Sequence, residues 1–360
     1  MPAKEPGWWY GEHRGPMARL LGPISRVWAY AAERRINRAT PYRASLPVIC
    51  VGNFTAGGTG KTPLAIHIAG LLTERGERPA FLTRGYGGRQ RGPHRVDAAL
   101  DTAADVGDEP LLLARHAPVM VARDRVAGAR AIEAQAGVAP PTVIVMDDGL
   151  QNPALAKDLV VAVVDGRRGT GNGLVIPAGP LRAPLALQLG IADAIVVNLP
   201  REMAADGAVH SNGIAAGFRD SFDGPVLEAK VEAAGETAAL AGQRVLPLAG
   251  IANPARFYGL LAELGADIVA RAEFADHHAF SQADARGVLA KADQLGARIV
   301  TTEKDWARLA GGNGALGELA ARAWPLPIRL AFAPRDATRL AALIDSALIE
   351  RRRGLGRVKP

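Results

Sequence analysis

The chain has 360 residues, 48% of them hydrophobic and 22% charged, and one cysteine, Cys50. That is an ordinary balance for a soluble protein of about two domains, and it excludes a disulfide framework and a thiolate zinc centre while fitting a reducing compartment. The net charge of +7 lies at the ends: residues 1–45 hold eight Lys/Arg against three Asp/Glu, the tail RRRGLGRVKP adds five more, and the middle is net acidic. This argues against a nucleic-acid enzyme and for termini that meet an anionic surface.

The first predicted element is MARLLGPISRVWAYAAERRINR. Arg19, Arg26, Arg34 and Arg35 interrupt it too often for a spanning helix, which needs about 20 apolar residues. Leu20, Leu21, Ile24, Val27, Trp28 and Ala31 nevertheless recur at helical spacing, just after Trp8, Trp9 and Tyr10. The pattern predicts a helix lying in a bilayer interface. A helix bent at Pro23 and packed on its own domain is the competing reading, and periodicity does not decide between them.

Apolar runs follow at 46–52, 79–84, 118–122, 141–148, 159–165 and 192–198, with helices predicted over 63–75 and 124–136. Unbroken Val/Ile runs predict parallel strands buried on both faces. The expected fold is therefore α/β: a P-loop NTPase-like, doubly wound, mostly parallel sheet with ligands at the carboxyl ends of its strands. Beyond about 226 come short strand-like pieces, a strand at 244–250, helices at 254–264 and 281–295, and ARIVTT. The expected division is an interface region 1–45, a P-loop core 46–225, a smaller C-terminal α/β domain with linker strands 226–350, and a basic tail 351–360.

The stretch VGNFTAGGTGKTPLAIHIAGLL joins the first strand to the first core helix. A phosphate-binding loop reads G-x-x-x-x-G-K-[ST]; here Gly60, Lys61 and Thr62 fit, but Thr55 stands where the first glycine belongs. The loop Thr55, Ala56, Gly57, Gly58, Thr59, Gly60 still offers consecutive N–H groups at a helix N-terminus, with Lys61 for the β/γ-phosphates and the Thr62 hydroxyl for Mg²⁺. PTVIVMDDGLQ then ends a strand in Asp147 and Asp148, suited to hold Mg²⁺, although Asp-Gly is also ordinary turn chemistry. IPAGPLRAP sets Arg182 in a stiff loop fit to clamp phosphate. VGDEP, with Asp108 and Glu109, reads by itself foremost as a helix cap with favourable dipole charge; TRGYGGR, FADHHAF and TTEKDW are polar clusters with no single reading.

Taken in order, VGNFTAGGTGKTP, TRGYGG, GDEP, DDGLQN, IPAGPLRAP, FADHHAF and TTEKDW resemble the tetraacyldisaccharide 4′-kinase family of the lipid A pathway over roughly residues 18–310. That loop likewise lacks the leading glycine. The resemblance implies transfer of the γ-phosphoryl group of ATP, with Mg²⁺, to the 4′-hydroxyl of an acylated glucosamine disaccharide 1-phosphate, giving lipid IVA. It further implies a monotopic enzyme on the cytoplasmic face of a Gram-negative inner membrane, with no nucleic-acid or obligate protein partner. Residue by residue it implies Asp108 as general base with His277 as its partner, and Lys61 and Thr62 on the phosphates and metal. Glu109, Asp147, Asp148 and Gln151 fall around the metal and Arg182 in the anion loop. Two positions depart from the family pattern: Asn152 and Ala183 replace a histidine and a glutamate, which leaves the magnesium shell to the remaining acids. The competing functions are a P-loop kinase of a soluble small molecule and a membrane-recruited P-loop ATPase switch.

Overall fold

The computed structural model describes residues 6–11, 15–199 and 208–354. Part of the expected interface region (1–5 and 12–14) and most of the basic tail (355–360) lie outside the described residues. The strands are β1 (Val48–Asn53), β2 (Pro79–Thr83), β3 (His94–Arg95), β4 (Val119–Val121), β5 (Val143–Asp147), β6 (Leu159–Asp165) and β7 (Ala194–Leu199). They continue with β8 (Val226–Ala233), β9 (Arg244–Ala249), β10 (Asp267–Ile268), β11 (Ala272–Glu273), β12 (Arg298–Thr302), β13 (Trp324–Leu326) and β14 (Ile328–Phe332).

The large sheet has the order β14-β8-β7-β6-β1-β5-β2-β4-β3. Its pairs are parallel except β3 with β4 and β8 with β14. The apolar runs are central strands for a simple reason: both faces are covered. Ile49 and Val51 point into one core with Leu64, Ile68, Leu340 and Ile344, while Val48 and Cys50 point into the other with Ile132, Leu150 and Phe218. Each such side chain, essentially unexposed, contributes about 1.5–3 kcal/mol of apolar burial. Burial also pushes the Cys50 thiol up to about 12.

The second sheet, β10-β9-β12-β13 with β11 beside β9, is parallel throughout. Its extent differs from the expected 226–350. β8 and β14 pair antiparallel in the large sheet, Ile328 opposite Ala233 through Phe332 opposite Ala229. The helix Pro334–Arg352 packs Leu340, Ile344 and Leu348 into the large core. The chain therefore crosses to the smaller unit and returns through neighbouring connections, tied by the Ala234 N–H donating to the Pro327 carbonyl at 2.9 Å. Hydrophobic periodicity gives a strand's type but not the sheet it joins.

Candidate active site

The loop after β1 shows why Thr55 can replace glycine. Among the described non-glycine residues only Asp148 (φ 55°) and His277 (φ 58°) take positive φ, so nothing at position 55 demands glycine. Thr55 forms an antiparallel bridge to Leu181, and its carbonyl accepts from Asn53 Nδ2 at 2.7 Å and Arg182 Nε at 3.1 Å. The left-handed conformation falls on Gly57 (φ 103°) and Gly60 (φ 98°) but not on Gly58. At Gly60 a Cβ would come 2.7 Å from Asn198 Nδ2, the amide that braces the loop by donating to the Thr59 carbonyl at 3.2 Å. The Ala56 N–H donates to the Pro180 carbonyl at 2.8 Å, so the amides available to a ligand begin after it. They lead into the helix Lys61–Glu74, whose first N–H groups have no intrahelical acceptor.

β5 is hydrogen-bonded beside β1, with Asp147 opposite Val51, so its acidic end lies next to the loop. Asp148 faces Lys61 Nζ at 3.8 Å and Arg182 Nη1 at 2.9 Å. Burial opposes its charge, but Lys61 and Arg182 hold it below the ordinary aspartate range. Asp147 is the opposite case: it is fully buried, and neither carboxylate oxygen has a hydrogen-bond partner. Burial, then the negative charges of Glu109 and Asp148, push it up to about 7. An unpartnered buried carboxylate is costly unless a cation completes it. Thr62 is also buried, at the start of the adjoining helix.

Two expected metal residues are otherwise engaged. The Gln151 amide nitrogen donates to the Asn53 carbonyl at 2.7 Å and to Gln188 Oε1 at 2.6 Å, bracing the end of β1. Glu109 accepts from Lys304 Nζ at 3.2 Å. Ala183 is fully buried, and Asn152 closes a turn through its Oδ1 and its carbonyl. Among the described residues no group of three or more His, Cys, Asp and Glu is gathered as a metal centre.

Across the cleft the smaller domain closes on Asp108. This residue opens the helix Asp108–Ala114 and is buried, its Oδ1 accepting from the Glu109 N–H at 2.9 Å. Its Oδ2 accepts from Arg308 Nε and Nη2 at 2.8 and 2.6 Å and lies 3.1 Å from His277 Nδ1 and 3.8 Å from Lys304 Nζ. Burial would raise this carboxyl, but the His277 hydrogen bond and the charges of Lys304 and Arg308 hold it well below the usual carboxylate range. Burial likewise works against Lys304, yet Glu109 and Asp108 keep it above the ordinary lysine range. Arg308 is held in turn by Asp305 and the Gly250 carbonyl, at 2.6 and 2.7 Å from Nη1. Sequence reading assigned no role to Lys304 and missed Arg308 altogether. Their signal was the charge-dense TTEKDWAR run, which is indistinguishable from a solvated turn without its partner across the cleft.

The helix Pro16–Asn37 turns a narrow face inward, burying Ala18, Ser25 and Ile36, with Ser25 Oγ donating to the Val175 carbonyl at 2.7 Å. The predicted apolar stripe faces outward: Leu20, Ile24, Val27 and Trp28 are 72%, 57%, 70% and 51% exposed. The aromatic cluster before it divides. Trp8 is exposed, whereas Trp9 Nε1 donates to the Pro177 carbonyl and Tyr10 stacks under Arg168. Among the described residues no helix is long and apolar enough to cross a membrane.

A family model described as tetraacyldisaccharide-1-P 4′-kinase matches residues 17–348. The tetraacyldisaccharide 4′-kinase of Nitrobacter winogradskyi is 46% identical over 359 residues, covering 97% of this chain and 99% of the relative. That of Methylobacterium nodulans is 48% identical over 345 residues, covering 94% and 96%. In architecture the chain is similar to the crystal structure of LpxK from Aquifex aeolicus in complex with ATP. The TM-score is 0.70 at 23% identity, over 92% of this chain and 99% of that one.

Proposed function

The chain belongs to the tetraacyldisaccharide-1-phosphate 4′-kinase family, and from that premise we infer its reaction: ATP-dependent 4′-phosphorylation of a tetraacylated glucosamine disaccharide 1-phosphate in lipid A biosynthesis. The observation that carries the assignment of roles is the juxtaposition of two half-sites. One is a glycine loop with Lys61 beside Asp147 and Asp148; the other is an Asp108–His277 pair presented across the cleft.

On this reading the amides from Gly57 to Thr62 cradle the triphosphate at the helix N-terminus and Lys61 carries the charge of the transferring group. Arg182 fixes both the entry of the loop and Asp148, keeping Asp148 as the counter-ion of two cations. Asp147 and Thr62 are then the protein groups that hold Mg²⁺, since Asp147 has the unpartnered oxygens. When bound, that ion neutralises charge on the phosphates. The incoming 4′-hydroxyl is a weak acid and gives its proton to the Asp108–His277 pair as its oxygen bonds the γ-phosphorus, while the bond from that phosphorus to the bridging oxygen breaks and ADP leaves. Arg308 and Lys304 keep Asp108 ionised and fixed for that role.

The outward stripe of the amino-terminal helix serves the substrate's location. A contiguous exposed apolar face flanked by arginines suits an interfacial helix, so the enzyme works at a membrane surface, which we place at the cytoplasmic face of the inner membrane. The test supplies purified protein with γ-labelled ATP, Mg²⁺ and the acylated disaccharide 1-phosphate in detergent micelles. Label is expected in the lipid at the 4′ position. Hydrolysis of ATP with no labelled lipid would instead favour an ATPase switch, and transfer to soluble sugars but not to the lipid would favour a soluble acceptor.

A further inference from the structure

Away from the charged contacts grouped around the helix Asp108–Ala114, where Lys304 meets Glu109 and Glu303 meets Arg115, the smaller domain touches the large one at a charged point that neither nucleotide chemistry nor proton transfer uses. Arg256, in the helix Pro254–Glu263 of the smaller domain, places Nη2 3.0 Å from Oδ2 of Asp165. Asp165 is the last residue of β6 and only 6% of its side chain is exposed. Its other oxygen accepts from the Arg167 and Arg168 N–H groups at 2.8 and 3.3 Å, so the carboxylate is fixed before Arg256 arrives. β6 and β5 flank β1 on opposite sides. Asp165 ends β6 on one side of β1, whereas the helix that Asp108 opens packs against β4, beyond β5 and β2 on the other; each carboxylate is met by an arginine from the same smaller domain.

We propose that Arg256 is a positioning residue for phosphoryl transfer: with Asp165 it forms a second latch that seats the smaller domain across the phosphate loop and so brings His277 to the reaction centre. The geometry supplies the reason for two points rather than one. The smaller domain is joined to the large one by two neighbouring connections, at 234–243 and Pro327, so the covalent links hold it along one edge only. The contacts of Lys304, Glu303, Trp306, His277 and Arg308 all gather around the helix Asp108–Ala114 and fix one corner; Arg256 with Asp165 adds a contact on the far side of β1. Near-attack geometry requires such fixing, because small misplacements of a reacting group are costly in rate. The proposal rests on the kinase reading for its consequence, but the latch itself is testable without activity.

The experiment uses the full chain with spin labels at Glu74→Cys in the large domain and Arg286→Cys in the smaller one, Cys50 being fully buried. Interdomain distances are measured by pulsed electron resonance with an ATP analogue and Mg²⁺, in Arg256, Arg256→Lys and Arg256→Glu backgrounds. Unlabelled proteins of the same three backgrounds are assayed for transfer to lipid. Arg256→Glu is expected to add a longer-distance population and to lower kcat roughly 5- to 30-fold, the range for losing a part-buried ion pair. Binding of the ATP analogue stays within about twofold, because the loop amides belong to the large domain. Arg256→Lys is expected to keep the short distance and most of the rate. An unchanged distance distribution in Arg256→Glu overturns the latch, and so does an opened distribution with undiminished transfer. A wild-type protein that closes normally but labels no lipid would instead sink the kinase reading and leave the latch standing.

Discussion

The two halves of the site are built differently. In the nucleotide half, Lys61 and Thr62 open the helix reached by the loop after β1, and Asp147 and Asp148 stand at the end of the adjacent strand β5, Val51 beside Asp147, so the fold of the large domain alone sets their spacing. The acid–base half joins residues of two sheets: His277 and Arg308 reach Asp108 across 169 and 200 residues of chain. A half-site inside one rigid sheet is fixed when that sheet folds. A half-site shared between domains exists only while the domains are docked, and here the Asp108 carboxylate is itself a docking point. Both halves hold one strained residue, Asp148 and His277, the described non-glycine residues with positive φ. Such strain costs of order 1–3 kcal/mol and is retained where neighbouring contacts over-determine the conformation.

The sharpest way to separate the halves is to damage one and watch the other. Lys61→Ala should lower kcat by roughly 10³-fold, the scale of losing a preorganised charge on the transferring group, while the interdomain distances stay as in wild type. A loss below tenfold would remove Lys61 from phosphoryl transfer. Asp108→Asn should cost a further informative amount, about 10²- to 10³-fold in kcat, with ATP affinity nearly unchanged. Unlike Lys61→Ala, it should loosen docking, because Arg308 and Lys304 lose their shared anion. Undiminished turnover in Asp108→Asn would end its catalytic role.

The docking half should also respond to acid. Folded Asp108 binds its proton less readily than the unfolded chain does, so its contribution to stability is complete above the ordinary carboxylate pKa of about 4 and fades as pH falls below it. His277→Ala with Lys304→Met should weaken that acid sensitivity of docking more than Arg308→Met alone, read from the same distance measurement between pH 6 and 3. The amino-terminal helix, with its exposed apolar face, lies apart from both halves. Leu20→Glu with Val27→Glu should reduce recovery on anionic vesicles about tenfold or more, since each charge faces the interface, with ATP binding intact. Equal vesicle recovery would count against the interfacial placement.

The smallest effect concerns Asp147. Its folded pKa is raised, so the ionised form weakens the protein increasingly as pH rises from the ordinary carboxylate range through about 7. Asp147→Asn should therefore stabilise the nucleotide-free protein at pH 8 by of order 1 kcal/mol, the usual penalty for an unpaired buried polar group, while abolishing the Mg²⁺ dependence of any residual activity. Equal melting temperatures for the two proteins at pH 8 would contradict this.

Sequence reading reached the nucleotide half because its signals are local. A strand, a glycine loop and a helix N-terminus are contiguous, and an apolar strand ending in two acids is recognisable wherever it pairs. It also reached Asp108 and His277, through resemblance of their motifs rather than from their chemistry. It did not reach Arg308, because i and i+3 charge on a short helix looks the same whether the partner is water or a buried aspartate. It did not foresee that the Gln151 amide nitrogen braces β1, nor that β8 and β14, inside its 226–350 division with linker strands, pair in the large sheet.

What this sequence determined by itself was the set of elements and the phosphate loop: unbroken Val/Ile runs must be covered on both faces, and three glycines before Lys-Thr leave the backbone N–H groups open to an anion. Only the tertiary structure decided which sheet the last strand and helix complete, which face of the amino-terminal helix stays bare, and which cations hold Asp108. Those outcomes depend on contacts between residues far apart in the chain, and such pairings leave no period or spacing in the sequence from which to read them.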